Sequence, residues 1–173
     1  MKVLVRLLLL LALLPLQVLA REVPIQDFFK DPEFTSISVS PDGKHMAVTV
    51  PQADRTVLAV LRVADQGVVG KWDYGEDRHF RQVYWANNNR LLFFVTFKTG
   101  RFDFETAKGD LYASNIDGTG RIDIPNGNYY NIVDLTPEDP DTILVERSIE
   151  TSFLFKLNFN NGRTTTVASA PVE

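Results

Sequence analysis

Three times along this chain an alternating apolar run meets a polar turn and reverses into a second apolar run. A further pair of runs closed by a glycine-bearing turn then follows. The first occurrence is the clearest. Ile37 and Val39 alternate with Ser36, Ser38 and Ser40, and beyond Ser40-Pro41-Asp42-Gly43 the residues Met46, Val48 and Val50 alternate with Ala47 and Thr49. A period of two is the mark of half-buried strands. Proline presets the backbone at the second position of a type I turn and glycine tolerates the exit, so the four residues between the runs predict a tight reversal. Val57 to Val63, the turn Ala64-Asp65-Gln66-Gly67 and Val68 to Trp72 complete a unit of four strands.

The second unit has Val83-Tyr84-Trp85, a turn at Ala86 to Asn89, Arg90 to Phe97, Asp110 to Asn115, a turn at Asp117 to Gly120, and Arg121 to Ile124. The third has Ile132 to Asp134, a turn at Thr136 to Asp139, Thr142 to Arg147, Phe153 to Asn158, a turn at Asn160 to Gly162, and Arg163 to Val167. The first turns start at residues 40, 86 and 136, so the repeat is 46 and then 50 residues. A β-sandwich also uses short strands with regular turns, but a four-stranded unit returning at about 40 to 50 residues is the pattern of propeller blades. The expected fold is therefore all-β, a partial β-propeller of about three four-stranded antiparallel blades at residues 35–73, 80–125 and 129–168. Closed propellers take about four to eight blades, so three predict an open array that further blades would complete.

Residues 1–20 stand apart. Lys2 and Arg6 precede the apolar run Leu7 to Leu14, and Val18-Leu19-Ala20 suits signal-peptidase cleavage before Arg21. The run is well short of the roughly 18 residues a membrane span needs, so export to the periplasm or exterior is expected, with no membrane attachment after cleavage. Residues 21–34 form an N-terminal arm in which Ile25, Phe28 and Phe29 are expected to dock on the body, and Asp31-Pro32 ends any helical turn. The chain has no cysteine, so its stability rests on core and hydrogen bonding. Loss of Lys2 and Arg6 with the leader moves the net charge from −4 to −6. Without a Lys and Arg cluster, that charge argues against a nucleic-acid partner.

A family likeness lies in Asp27-Phe28-Phe29-Lys30-Asp31-Pro32-Glu33-Phe34 leading into Ser38 to Ala47, followed by Leu111-Tyr112 and Asp117-Gly118. This pattern resembles the start of the β-propeller in exported bacterial serine peptidases of the prolyl oligopeptidase family, in their acylaminoacyl-peptidase-like and dipeptidyl-peptidase-like members. Ser-Pro-Asp-Gly by itself is shared by many propellers, the periplasmic TolB type among them. The resemblance covers nearly the whole mature chain and implies a propeller that screens peptide access to a following α/β-hydrolase domain. That domain's nucleophile sits in Gly-x-Ser-x-Gly, and no serine here has glycines at that spacing. No adjacent Glu pair matches the family's anchor for a substrate amino terminus. No catalytic residue is assigned, and the expectation is a non-enzymatic chain without cofactor or metal. Its expected partners are a hydrolase domain, further blades, or another protein at open blade edges, as in a freestanding interaction module.

Asp73 to His79 is the densest polar cluster. It could ligate a metal, but it is read as a solvated loop between units. His45, beside Lys44, is expected to be exposed. Trp72, Tyr84, Trp85, Phe93, Phe94, Tyr112, Phe153 and Phe155 fall on strands and are read as core. Asn87 to Asn89 and Asn126 to Asn128 are read as turn chemistry. The segment Lys98 to Gly109 joins two strands of the second unit and reads as an extended hairpin. Long connections often carry function, so its Arg101, Phe102 and Phe104 form a candidate contact loop toward a partner domain or a substrate entrance.

Overall fold

The computed structural model of the protein describes residues 33–170 except 100–103, 106–108, 126, 136–138 and 149–150. The leader at 1–20 and nearly all of the arm at 21–34 lie outside the described residues.

Each alternating run becomes a strand, and each pairs with the next one in the chain. Strands β1 (Ser36–Val39), β2 (His45–Pro51), β3 (Thr56–Arg62) and β4 (Val68–Trp72) form the first antiparallel sheet in that order. The second contains β5 (Arg78–Asn87), β6 (Arg90–Thr99), β8 (Asp110–Asn115) and β9 (Ile122–Asp123), while the two-residue β7 (Phe104–Glu105) pairs on β6. The third is β10 (Tyr130–Asp134), β11 (Thr142–Ser148), β12 (Ser152–Asn158) and β13 (Thr164–Ser169). The protein is thus all-β, three four-stranded antiparallel meanders. One 3-10 turn, Gly127–Tyr129, is the helical element among the described residues.

The first reversal shows why the strands stop where they do. The Ser40 hydroxyl donates to Asp42 (2.7 Å) and accepts from the His45 amide (3.0 Å), while Asp42 accepts from the Lys44 amide. Gly43 takes φ +71, which a side chain would disfavour, and its amide closes the turn on the Ser40 carbonyl.

Strand β6 decides how the sheets stack. Its alternate residues Leu91, Phe93 and Val95 join Ala47, Leu58, Val60, Trp72, Phe80 and Trp85 in one core. Leu92 and Phe94 join Leu111, Ile143, Val145, Phe155, Leu157 and Phe159 in another. The middle sheet is therefore buried on both faces, and Leu91 to Val95 are at most 6% exposed. Each outer sheet turns one face inward. Polar ties hold the first two sheets together: the Trp85 indole N–H donates to the Ser38 carbonyl, the Trp72 indole to the Ser114 hydroxyl, and the Asp42 amide to Asn88 Oδ1. At Gly70 the first sheet comes so near the Ile116 carbonyl that a β-carbon would collide with it. Rings of Trp72, Tyr74, Phe80 and Tyr112 surround Phe93 at 5.4 to 6.3 Å between centroids.

Several expectations are corrected. Ile37 and Val39 face outward, 59% and 56% exposed, because the first sheet carries apolar residues on both sides and its serine face lies toward the second sheet. Strand β5 starts at Arg78, so Arg78 and His79 belong to a strand, not to the loop before it. The second reversal turns through Asn88 and Asn89 alone, because Ala86 and Asn87 still belong to β5, while β6 opens at Arg90 as expected. His45 is half-buried, its Nδ1 enclosed, because it lies within β2 opposite Arg62. The eight aromatic residues expected on strands do join the two cores, five buried and Tyr84, Tyr112 and Phe153 partly so.

Arg90 is 7% exposed. Its guanidinium donates to the Phe159 carbonyl from Nε (3.1 Å) and from a terminal nitrogen (2.9 Å), to Asn115 Oδ1 (2.7 Å) and to the Gly120 carbonyl (3.1 Å). One side chain thus joins the middle sheet to the β12–β13 turn. Arg90→Met keeps the bulk and removes every donor, leaving three acceptors without that partner. A loss of about 3 kcal/mol is expected, each orphaned buried group costing roughly 1 to 3 kcal/mol. Urea denaturation followed by tryptophan fluorescence would measure it, as a midpoint lowered by about 1 to 2 M.

Candidate functional site

The β2–β3 turn, the β4–β5 connection and the start of the β6–β7 hairpin all leave the sheets at one end. Between the first and second sheets at that end lies a cleft of about 390 Å³. Thr35, Ser36 and Thr49 bring hydroxyls from β1, β2 and the approach to β1. Arg55 and Thr56 come from the start of β3, His79 to Arg81 from β5, and Lys98 from β6. No Asp or Glu is among its described lining residues, although acids outnumber bases in the chain.

Strand geometry explains the gathering. Arg81 occupies a bulge in β5, where the pairing skips from Phe80 to Gln82 opposite Val95 and Phe94. A bulge bends the strand and re-aims its extra side chain, and Arg81 is exposed at the rim. Lys98 lies near the end of β6, its amide held by the Asp77 carbonyl (3.0 Å). The hydroxyls of Thr35 and Thr49 pair at 2.7 Å, and Thr56 Oγ1 accepts the Phe80 amide at 2.7 Å, tying the two walls together.

Arg55 is already engaged. It donates to Asp54 at 3.0 Å and to Asp73 at 3.5 Å. Its pKa is raised first by the hydrogen bond to Asp54. Asp73 is held below the usual aspartate range, first by the Gly75 amide (2.9 Å) and then by the Arg55 charge. Asp73 therefore anchors the β4–β5 connection and Arg55 together. The His79 carbonyl accepts a hydrogen bond from the Thr96 hydroxyl (3.3 Å).

The candidate contact loop is placed only in part. Phe104 pairs with Thr99 and Glu105 with Lys98 through their backbones, so β7 folds back on the end of β6 at the same end as the cleft. Arg101 and Phe102 lie outside the described residues. Asp73 to His79 provides the Arg55 tie and part of the cleft wall, and among the described residues no group of three His, Cys, Asp or Glu could hold a metal ion. The cleft was missed from sequence because its cations come from three strands of two repeats.

No family model matches the chain, and no curated protein matches it. Among solved structures, a candidate conserved lipoprotein of Clostridium novyi NT is similar over 80% of this chain and 91% of that one, with 17% sequence identity and a TM-score of 0.48. A likeness of that degree transfers no function. Among the described residues no helix is long and apolar enough to cross a membrane.

Because the pKa of Asp73 is depressed by folding, the stability it contributes is present above the unfolded value. It is lost as pH falls below about 3.8 through the folded one. A carboxyl-carbon NMR titration of Asp73 is expected to show a midpoint below 3.8. Arg55→Ala should move that midpoint upward only part of the way, since the Gly75 amide remains.

Proposed function

We propose that this chain is a non-catalytic β-propeller segment, three blades of a ring that gates peptide access in an exported protein of the prolyl oligopeptidase type. The observation that carries the reading is the stacking of three consecutive four-stranded meanders face to face in chain order, with the middle one buried on both sides. Blades of a propeller bury their faces only against neighbouring blades, and that relation is what the two cores provide. The leader at 1–20 supports export to the periplasm or exterior, and the Asp27 to Ala47 pattern supports the family. Gating requires no catalytic group from the propeller itself, in keeping with a sequence that lacks Gly-x-Ser-x-Gly. The hydrolase domain that such a gate serves is its proposed partner.

A second reading is a freestanding interaction module of the TolB-like kind. It is favoured by the apolar residues on the end sheets: Ile37, Val39 and Val68 in the first are 56 to 63% exposed, and Val133 and Val167 in the last are 57% and 51% exposed. Such faces are where another protein's strands or sheets would pack.

Sequencing the locus through the Glu173 codon separates the two. Further strand-turn-strand units in frame, followed by Gly-x-Ser-x-Gly, are expected for the gate. A stop codon with no such continuation overturns it in favour of the module. In parallel, the purified chain is expected to remain unlabelled by a fluorophosphonate probe, and stoichiometric labelling of a serine would refute both readings.

A further inference from the structure

We propose that the outer face of the last sheet docks a strand of a partner protein, apolar on the side it presents and carrying one lysine or arginine to meet Glu146. The inference uses the stacking of the sheets and the lining of this face, and it stands apart from the peptidase reading.

Register builds the face. Asn131 of β10, Glu146 of β11, Leu154 of β12 and Ala168 of β13 are successive pairing partners, so they form one row across the sheet. Directly opposite residues share a face with β-carbons about 4.5 to 5.5 Å apart, which puts the carboxylate-bearing residue beside Leu154. Val145 and Phe155, the neighbouring pair, turn the other way into the core shared with the second sheet.

The other sheets show what such a row does. In the first, Ser36, Thr49, Leu58 and Trp72 are successive partners, and Leu58 and Trp72 are buried in the core that the second sheet completes. In the second, Gln82, Phe94 and Leu111 are successive partners, and Phe94 and Leu111 are buried in the core that the third completes. The third sheet repeats the row, but no further sheet among the described residues follows it. Ala168 is exposed, Glu146 and Leu154 are half-buried, and a groove of about 370 Å³ runs between Val133, Glu146, Leu154, Ala168 and Ala170. That volume lies within the range of ligand pockets.

Glu146 sets the chemistry of the occupant. Its carboxylate makes no hydrogen bond or ion pair with a described residue. Arg147 lies over the Phe155 ring at 5.1 Å, and Lys156 stands in the next row, opposite Leu144. Covering a carboxylate with apolar surface is costly unless a cation meets it. A strand with a cation between two apolar residues satisfies both needs: its apolar side chains cover Val133 and Leu154, and its charge makes a charge-assisted hydrogen bond to Glu146.

NMR titration of the full protein with acetyl-Val-Thr-Lys-Thr-Val-Thr-amide, whose valines and lysine share one side when extended, tests the proposal. Methyl signals of Val133, Leu154 and Ala168 are expected to shift and saturate with a Kd on the order of 1 mM. Peptides with glutamine or glutamate for the lysine should bind at least about tenfold more weakly, and so should one with serines for the valines. Glu146→Gln, checked for folding by thermal melt, should weaken the lysine peptide about tenfold and bring it level with the glutamine peptide. Lys156→Gln should keep the binding. The peptide series uses the wild-type protein, so it decides the matter even if a variant misfolds. Equal binding of the lysine and glutamine peptides, shifts at Ile37 and Val39 of the first sheet in place of the last, or no binding of the lysine peptide overturns the proposal. Concentration-dependent shifts of the same methyls without peptide would assign the face to a second copy of this chain and overturn it as well.

Discussion

Arg90 carries a full positive charge into the interior with no carboxylate among the described residues bonded to it. Burial lowers its pKa, yet a guanidinium does not lose its proton in a protein. The charge is tolerated because carbonyl oxygens of Phe159 and Gly120 and the side chain of Asn115 surround it. Phe159 and Gly120 lie in turns, and Asn115 closes β8. One residue thus joins sheets that hydrogen bonding within a sheet cannot connect.

The rest follows from the position of that residue at the start of β6. A strand buried on both faces needs a partner sheet on each side, and its alternating residues divide between two cores. Face-to-face stacking has no natural end. The first and last sheets each leave a face whose valines and isoleucine meet solvent, the same kind of surface that is buried inside. Closely fitted contacts such as Gly70 against Ile116 show that the internal packing leaves little room for adjustment.

Stacking also creates the cleft. Turns at one end splay from the sheets and leave space between them, and a bulge in β5 turns Arg81 toward the rim. The chain is acidic overall, so a lining without described carboxylates is a local property of the fold and not of composition. Asp54 and Asp73 lie nearby, but they are committed to Arg55 and to the Gly75 amide. Local pairing therefore holds these two acids to the β4–β5 connection, beside the cleft that Lys98 and Arg81 line.

How much was legible in the sequence depends on the range of the interaction. The alternating runs and the Ser-Pro-Asp-Gly turn determined the strands and their antiparallel order, because period and turn chemistry act over a few residues. Asp110 to Asn115 could be read to the residue, and the aromatic residues on strands were legible as core. Which face of β1 points inward was not, since Ile37, Val39, Val48 and Ala47 give the first sheet two apolar faces, and only the neighbouring sheet selects between them. Nor could any local pattern show that Arg90, 69 residues from Phe159, would be buried against its carbonyl. The cleft likewise depends on residues from separate repeats. Sequence alone determined the repeating strands of this protein, and the tertiary structure decided which faces, charges and hydroxyls meet, because sheet stacking is set by contacts between segments far apart in the chain.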